Sequence, residues 1–418
     1  MTMAGITVLT VYSALSEEVR DYARSLHEAV VGNVCREYEH CSGILASSLG
    51  DVKVESGSFV VIHVATGGTE RLIVDLYGRS RYSVILACGK ANSLAAALEA
   101  RGRLIEEGYN PELVYYEEAS DVPGLLKDFY NGFRGAMSLV GFRNVSVGGP
   151  SPWLVASASD PQYSRKLDSE TLMVEMEKLI EEYNKVDRGF VLKHELYEKL
   201  KGLSFNDDAL IDSLRIYFAL KRIIGKGGFR GVTVKCFDLI ELVGNTACLP
   251  LAILNSEGII ASCEGDVNML LTMRLLSSLA DAPVWMANPV RIVGEDTVIL
   301  AHCTAPLSML SDIDFQTHYE SGLGVAVRGR VRQGKVTLAR IGGRKLDSIF
   351  AVTGEVTRSN MKFKNMCRVQ VEVRLDSGVD WFLKNSVGNH VALTYGDHRK
   401  ALKVACDILG LRPIIYGV

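Results

Sequence analysis

The 418-residue sequence lacks the features that mark several common classes of protein. No stretch approaches the roughly 18 uninterrupted apolar residues of a membrane-spanning helix, so a membrane is not an expected partner. Its 46 Lys and Arg residues nearly balance its 49 Asp and Glu residues, and no basic stripe stands out, which argues against nucleic acid as a principal partner. The glycine turns match neither a dinucleotide-binding fingerprint nor a P-loop, and there is no nucleophile elbow.

The nine cysteines form no C-x-x-C pair and are scattered through apolar segments. An odd number of such residues is typical of reduced, buried thiols, which predicts a cytoplasmic protein. The stretch "MTMAGITVLTVYSALSEE" lacks both a basic region and an extended apolar core, so we interpret it as a first strand rather than a signal peptide. A chain of 418 residues, 48% of them hydrophobic, should form two or three well-packed domains.

Alternating strand-like and helix-like stretches indicate the fold class. In the first third, the β-rich "ITVLTVYS", "SFVVIHVAT" and "YSVILACG" are interleaved with helical patterns, which predicts a parallel sheet with crossover helices. A Pro- and Gly-rich break at 141–153 opens a second α/β run, with a helix expected over 168–186. From about Ala282 onward, short β-rich segments favour an antiparallel barrel or sandwich. We therefore predict two Rossmann-like parallel-sheet domains, 1–145 and 146–282, followed by a β-rich, barrel-like domain over 283–418.

The stretch "IIASCEGDVNMLLTMRLL", residues 259–276, ends an apolar strand on two carboxylates and turns directly into a helical pattern. In open α/β sheets, ligands collect at the carboxyl ends of strands, so Glu264 and Asp266 are well placed for function. Asp266 has an equally good structural interpretation as the N-cap of the following helix. Glu264 directly follows a buried strand, where an unpaired carboxylate is costly, and it therefore needs a cation, a metal ion or a hydrogen-bond network.

Two histidines at strand ends are candidate partners for these carboxylates. His302 lies in "VILAHCTAPL" and His390 in "SVGNHVALTYGDH". Imidazole and carboxylate together form the ligand set of Zn, Mn, Fe or Co sites, although a strand-end histidine can also be a hydrogen-bonded structural residue. The adjacent Cys263 and Cys303 should point to the opposite strand faces as packed thiols, whereas a thiolate ligand would indicate Zn.

Arg368, in "CRVQ", is an arginine within an otherwise apolar strand. It is a candidate for holding a sugar hydroxyl or an acidic group of a substrate. The alternative is that its aliphatic stem packs structurally.

These stretches together resemble the L-fucose/L-arabinose isomerase family. "CEGD", "PVWMANP", "AHCTAP" and "GNH" stand in the family's order, and "VATGGTE", "CRVQVEV" and "YESGLGVAVRG" extend the resemblance over most of the chain. It implies two α/β domains, a barrel-like domain, and an aldose–ketose isomerase that acts through an enediol. The implied cofactor is Mn²⁺, with Co²⁺, Mg²⁺ or Zn²⁺ as alternatives. A sugar or sugar-like substrate and a homo-oligomer, trimeric or hexameric, are also implied.

The resemblance assigns roles to individual residues. Glu264 matches the first family carboxylate, which is both metal ligand and acid/base, and His302 and His390 match the histidine ligands. Asn288, in "PVWMANP", stands where the family has its second carboxylate and is expected to bind the metal and the substrate. Asn389, in "GNH", is a further expected substrate contact.

Asn288 is the main departure from the family pattern. A carboxamide oxygen can bind a metal ion, but it cannot accept a proton at neutral pH. Glu264 would then transfer protons alone, or Asp266 would act as the second catalytic group. The alternatives are a sugar- or metabolite-binding protein without turnover and another enediolate-type enzyme, such as a lyase or an epimerase.

Overall fold

Alternating strands and helices build the first of the two units into which the chain divides, Met1–Met137 and Ser138–Val418. The computed structural model describes residues 5–54, 57–157 and 161–418. The elements of the first unit are β1 (Ile6–Val11), α1 (Glu17–Glu37), β2 (Cys41–Ala46), β3 (Phe59–Val64), α2 (Glu70–Tyr77), β4 (Tyr82–Cys88), α3 (Ser93–Glu106), β5 (Glu112–Tyr116) and α4 (Val122–Leu139). The strands pair in parallel in the order β2-β1-β3-β4-β5. β1 and β3 are buried at every residue, as expected for strands covered on both faces.

The second unit begins with another parallel sheet, in the order β7-β6-β8-β9. Its elements are β6 (Arg143–Val147), β7 (Glu170–Val174), α5 (Met176–Asn184), α6 (Arg188–Leu192), α7 (Glu195–Leu200), α8 (Asp207–Gly227), β8 (Gly231–Val234), α9 (Cys236–Val243), α10 (Cys248–Ser256), β9 (Ile260–Cys263) and α11 (Val267–Ala280). The helix predicted over 168–186 is wrong in its first part, which forms the edge strand β7. Backbone pairing with β6 overrides the weak helical preference there, and α5 begins only at Met176.

The rest of the chain forms a closed antiparallel barrel with additional elements. These are β10 (Trp285–Val293), β11 (Thr297–His302), β12 (Leu310–Gln316), β13 (Ala326–Val331), β14 (Gly334–Gly342), β15 (Ser348–Ser359), β16 (Val369–Leu375), α12 (Gly378–Asn385), β17 (Val391–Tyr395), α13 (Arg399–Leu409) and β18 (Arg412–Ile415). The barrel order among the described residues is β14-β17-β10-β11-β16-β15, and pairing of β14 with β15 closes it. Closure leaves no exposed sheet edge within this ring.

The predicted fold class is confirmed, with two Rossmann-like parallel sheets followed by an antiparallel barrel. The division into domains 1–145, 146–282 and 283–418 stays a prediction, and β6, which belongs to the second sheet, already begins at Arg143. None of the described helices is both long enough and apolar enough to cross a lipid bilayer.

The expectation that all cysteines are reduced thiols is wrong for four of them. The structure pairs Cys35 with Cys41 and Cys236 with Cys263 as disulfides. Cys35, near the end of α1, and Cys41, at the start of β2, have a Cα–Cα distance of 5.0 Å. Cys236, the first residue of α9, and Cys263, the last residue of β9, have a Cα–Cα distance of 6.2 Å. The free cysteines are Cys88, Cys248, Cys303, Cys367 and Cys406, all of them buried except Cys367, which is half-buried.

Candidate metal centre

The turn after β9 has a backbone that explains the glycine between the two carboxylates. Glu264 and Gly265 have φ values of 63° and 70°, in the left-handed region that favours glycine. A Cβ atom on Gly265 would lie 1.9 Å from the carbonyl oxygen of Gly149, so only glycine fits against the loop that follows β6. The same loop holds the turn, since the backbone N–H of Ser151 donates to the carbonyl of Glu264 at 2.8 Å.

Barrel register brings two distant histidines to this turn. β10 pairs with β11 on one side and with β17 on the other. His302 is the last residue of β11 and follows Ala301, which pairs with Asn288, while His390 directly precedes Val391, which pairs with Ala287. Both histidines therefore lie beside the same stretch of β10. One potential ligand atom from each of Glu264, His302 and His390 lies within 4.8 Å of the others. All three side chains are largely buried, with 0% exposure at His390 and 12% at Glu264.

Glu264 is held ionised in this buried position. Burial raises the pKa of its carboxyl group, but the hydrogen bond and charge of His390 and a hydrogen bond from Trp153 outweigh it and lower the pKa overall. The indole Nε1–H of Trp153 donates to Oε2 at 2.7 Å, and Nε2 of His390 lies 3.6 Å from Oε1. A buried negative charge is therefore available for a ligand.

His302 is held neutral. Burial, followed by the nearby His390, lowers the pKa of its imidazole to about 3. Its Nδ1 is hydrogen-bonded to the Thr304 hydroxyl at 2.8 Å, which leaves Nε2 for a ligand. A neutral imidazole with one bonded and one remaining nitrogen is the form that coordinates metal ions.

His390 is oriented by a buried ion pair behind it. Its Nδ1–H donates to Asp266 at 2.8 Å, and the guanidinium of Arg340 lies 3.0 Å from the same carboxylate. Burial lowers the pKa of His390, but its hydrogen bonds and the charges of Asp266 and Glu264 raise it overall. Gly388 makes room for Arg340, because a Cβ atom there would lie 2.4 Å from the guanidinium Nε.

Asp266 combines the two interpretations that the sequence left open for it. It is the N-cap of α11, accepting from the backbone N–H of Met269, and it also holds Arg340 and His390. Burial raises the pKa of its carboxyl group, but the charge of Arg340 and the His390 hydrogen bond bring it down to about 2. Asp266 is fully buried and is not among the described residues that line the cavity beside Glu264. This arrangement suits a residue that orients His390.

The cavity beside the cluster contains some of the predicted substrate contacts but not others. Asn288 lines it together with Glu264 and His302. Arg368 does not line it, and its guanidinium is hydrogen-bonded to the carbonyl oxygens of Thr317 and Lys364. Asn389 is exposed, with its side-chain nitrogen 3.5 Å from Nε2 of His390, and does not line the cavity either.

The expectation that Cys263 and Cys303 are packed thiols holds for Cys303, which lies in a buried apolar cluster with Cys248, but not for Cys263, which is paired with Cys236. Both line the same cavity as Glu264 and His302. Strand alternation ends at these positions, because Glu264 already lies in the left-handed turn beyond β9 and His302 is the last residue of β11. The metal-ligand cluster itself contains no thiol among the described residues.

The donor set fits a divalent transition metal. One carboxylate oxygen and two imidazole nitrogens, with the carboxamide of Asn288 on the same cavity wall, match the ligands of Mn²⁺, Fe²⁺, Co²⁺ or Zn²⁺ better than an all-oxygen magnesium or calcium site. The arrangement also has the outer hydrogen bonds that metal-binding histidines usually make, between His390 and Asp266 and between His302 and Thr304. These residues could therefore hold a metal ion.

Three residues around the site were missed by the sequence analysis. Trp153 lies in a Pro- and Gly-rich segment typical of a loop, and Arg340 lies in the apolar strand β14. His318, which also lines the cavity, follows β12 in the stretch "THYESGLG". The isolated charge of Arg340 in a buried strand is the one usable hint, because a fully buried arginine needs a carboxylate partner.

Comparison with known proteins finds relatives that are named as isomerases. No family model matches the chain. The sequence is 27% identical over 222 residues to a sulfoquinovose isomerase of Clostridium sp. (strain MSTE9), covering 50% of this chain and 49% of the relative. It is 24% identical over 229 residues to sulfoquinovose isomerases of Priestia aryabhattai and Priestia megaterium, covering 51% of this chain and 50% of each relative. The chain thus spans about half the length of the curated relatives it matches.

Proposed function

We propose that this protein is a metal-dependent aldose–ketose isomerase that acts through an enediol. The observation that carries the proposal is the convergence of Glu264, His302 and His390 within 4.8 Å of one another beside a cavity. The isomerase names of the relatives agree with it. The proposal includes Mn²⁺ as the expected ion and a homo-oligomer in the cytoplasm, each open to direct measurement.

The residues have distinct tasks in this proposal. Glu264, His302 and His390 would hold the ion together with Asn288, and the bound metal would polarise the substrate oxygens. Glu264 is ionised, reaches the cavity and removes the proton from C2 of an aldose, then returns it to C1.

A second candidate function is sugar binding without turnover. Asn288 favours it, because this residue lines the cavity where the resemblance expects a second carboxylate. Asp266 does not replace that group at the cavity wall, since its carboxylate faces Arg340 and His390. Such a protein would show sugar-dependent thermal stabilisation but no exchange of carbon-bound protons.

The test combines metal analysis with proton exchange. The protein, loaded separately with Mn²⁺, Co²⁺, Mg²⁺ and Zn²⁺, is incubated in D₂O with aldopentoses, aldohexoses, deoxy-sugars and sulfoquinovose, and NMR follows deuterium entering C1 or C2. We expect exchange and ketose formation with at least one sugar and a loss of about 10²–10⁴-fold in Glu264→Gln.

Glu257→Gln is the matched control, because this carboxylate binds Tyr217 and Lys221 and is not part of the metal-ligand cluster. It should retain the wild-type rate. An unchanged rate in Glu264→Gln would remove Glu264 from the mechanism. Sugar binding without exchange in the wild-type protein would favour the second function.

A further inference from the structure

The proposed isomerisation needs two kinds of proton movement, and among the described residues of the cavity wall only the carboxylate of Glu264 is suited to carry a proton between carbons. Glu264 can carry the proton between the two carbons. A second proton must pass from the O2 hydroxyl to the carbonyl oxygen O1, since the ketose has its hydroxyl on C1 and its carbonyl on C2. The carboxamide of Asn288 cannot transfer a proton at neutral pH. A further titratable group on the cavity wall is therefore the protein's candidate for this transfer.

Several titratable residues near the cavity are poorly suited to this task. The thiols of Cys248 and Cys303 lie in a buried apolar cluster, and the third free thiol on the cavity wall, Cys367, packs against it, so a thiolate is disfavoured at all three. Burial and the hydrogen bond to Glu320 raise the pKa of Tyr319 far above neutrality. The carboxylate of Glu320 is exposed and already accepts the hydroxyl of Tyr319 at 2.5 Å.

His318 is the remaining group with suitable chemistry. It is 7% exposed and lines the same cavity as Glu264 and His302. Burial lowers the pKa of its imidazole, so the ring is neutral at physiological pH. Its ring packs edge-to-face against Phe237, another residue of the cavity wall, with a centroid distance of 5.8 Å.

Hydrogen bonds determine which ring nitrogen of His318 carries the proton. The backbone N–H of Ser321 donates to Nδ1 at 3.4 Å, and the Ser321 hydroxyl lies 3.2 Å from the same nitrogen. A backbone N–H can only donate, so Nδ1 is an acceptor and the proton of the neutral ring is on Nε2. The ring edge that carries Nε2–H is the polar edge left for a ligand.

The backbone around His318 is held in a closed turn. The N–H of His318 donates to Leu323 at 3.0 Å, and the N–H of Gly322 donates back to His318 at 2.8 Å. Gly324 packs against Thr246, where a Cβ atom would lie 2.6 Å from the backbone nitrogen. On the other side, Arg368 donates to the carbonyl of Thr317 at 2.8 Å. Catalytic groups require such fixed positions.

We propose that His318 is the second proton-transfer residue of this site: its Nε2 gives a proton to O1 of the aldose and takes the hydroxyl proton of O2. The carbon-bound proton moves separately, from C2 to Glu264 and then to C1. The imidazole ends neutral, Glu264 ends ionised, and the substrate gains and loses no atom. This inference rests on the proposed isomerase function.

The test uses His318→Gln and His318→Ala in the 418-residue, Mn²⁺-loaded protein. We expect ketose formation to fall by about 10²–10³-fold in both variants, while Mn²⁺ affinity measured by titration calorimetry changes less than about 2-fold. Added imidazole should restore a concentration-dependent part of the rate in His318→Ala. A purely structural role would not give this rescue.

His194→Gln is the matched control. His194 also accepts a backbone N–H at Nδ1, from Leu196 at 3.1 Å, but it caps α7 and does not line the cavity. Its replacement should leave the rate unchanged. If the wild-type protein is active and His318→Gln is equally active, or if His318→Gln loses Mn²⁺ binding, the role of His318 is refuted and the isomerase function stands. If the wild-type protein exchanges no sugar proton with any metal, both proposals are refuted.

Discussion

His63 in the first unit and the pair His302 and His390 in the second are all buried histidines, yet their environments differ. His63 is 0% exposed, and hydroxyl groups satisfy both of its nitrogens: Thr10 lies 3.0 Å from Nδ1 and Tyr116 lies 2.8 Å from Nε2. His302 and His390 each have a hydrogen bond at Nδ1, but among the described residues neither ring has hydroxyl groups at both nitrogens. Nε2 of His390 lies 3.6 Å from Glu264, and each ring offers a ligand atom within 4.8 Å of that carboxylate. Burial alone therefore does not indicate a functional histidine, whereas a remaining nitrogen beside a carboxylate does.

The largest expected effect concerns the groups that hold these histidines in place. Asp266→Asn leaves the buried guanidinium of Arg340 without a charged partner, which should cost about 3–5 kcal/mol of unfolding free energy. Mn²⁺ affinity should also fall by about 10–100-fold, because the orientation of His390 is lost. In the first unit, Tyr116→Phe removes one neutral hydrogen bond from His63 and should cost only about 1 kcal/mol. Chemical denaturation and calorimetric titration measure both quantities, and equal costs for the two variants would contradict the comparison.

The next largest effect is expected when the histidines themselves are replaced. His302→Gln and His390→Gln should each weaken Mn²⁺ binding by at least about 100-fold, because each variant loses a ligand of the cluster. His63→Gln should leave the affinity unchanged while lowering the unfolding free energy by about 1–3 kcal/mol, since it disturbs a satisfied buried network. Metal content after gel filtration provides a second readout. Loss of Mn²⁺ binding in His63→Gln would contradict the distinction between the structural His63 and the two candidate metal ligands.

The unfolding free energy should depend on pH because His63 is buried in its neutral form. Burial, followed by the charge of His27, lowers the pKa of His63 to about 3, below the roughly 6.5 of an unfolded chain. The unfolded chain then binds more protons between these two values. Stability from His63 is complete above about pH 6.5 and declines as pH falls towards 3, by at most about 1.4 kcal/mol per unit.

His63→Gln removes this titration and is the matched variant for that measurement. Its unfolding free energy should depend less steeply on pH than that of the wild-type protein, so the two curves approach each other on acidification. Parallel curves between pH 6.5 and 4 would show that burial of His63 does not depress its pKa.

The smallest effect is expected for Trp153, whose indole donates a hydrogen bond to Glu264. Trp153→Phe removes the 2.7 Å hydrogen bond from Nε1, and the pKa of Glu264 should rise because that bond helps to lower it. The indole is about half exposed, so the rate of isomerisation should fall only about 3–10-fold, which corresponds to about 1 kcal/mol. Trp381→Phe, a ring stacked on Phe350, should leave the rate unchanged. A rate loss as large as that of Glu264→Gln would give Trp153 a more direct role.

Much of the fold could be predicted because the patterns are local. Apolar strands alternating with helices indicated the parallel sheets, and short β-rich segments after Ala282 indicated the barrel. The helix expected over 168–186 failed at β7, because an exposed edge strand has no buried face to impose a period of two. The two disulfides were also not predicted, because the fold brings together cysteines whose spacing in the sequence gives no sign of pairing.

The candidate site was predictable only in part. Glu264 stands out because a carboxylate at the end of a buried strand needs a partner, and the family resemblance connects it with His302 and His390. Trp153 and His318 carry no such signal, and the isolated charge of Arg340 indicates only that it needs a carboxylate partner. The contacts of all three depend on loop conformation and barrel register.

The sequence by itself determined the class of each segment and the chemistry that Glu264 and the two histidines can perform, because strand period, helix period and side-chain ionisation are local properties. Only the tertiary structure decided which nitrogen of each histidine remains for a ligand and that Asp266 faces Arg340 instead of the cavity. Those outcomes depend on hydrogen bonds between residues up to 124 positions apart, and barrel closure and strand register determine such contacts.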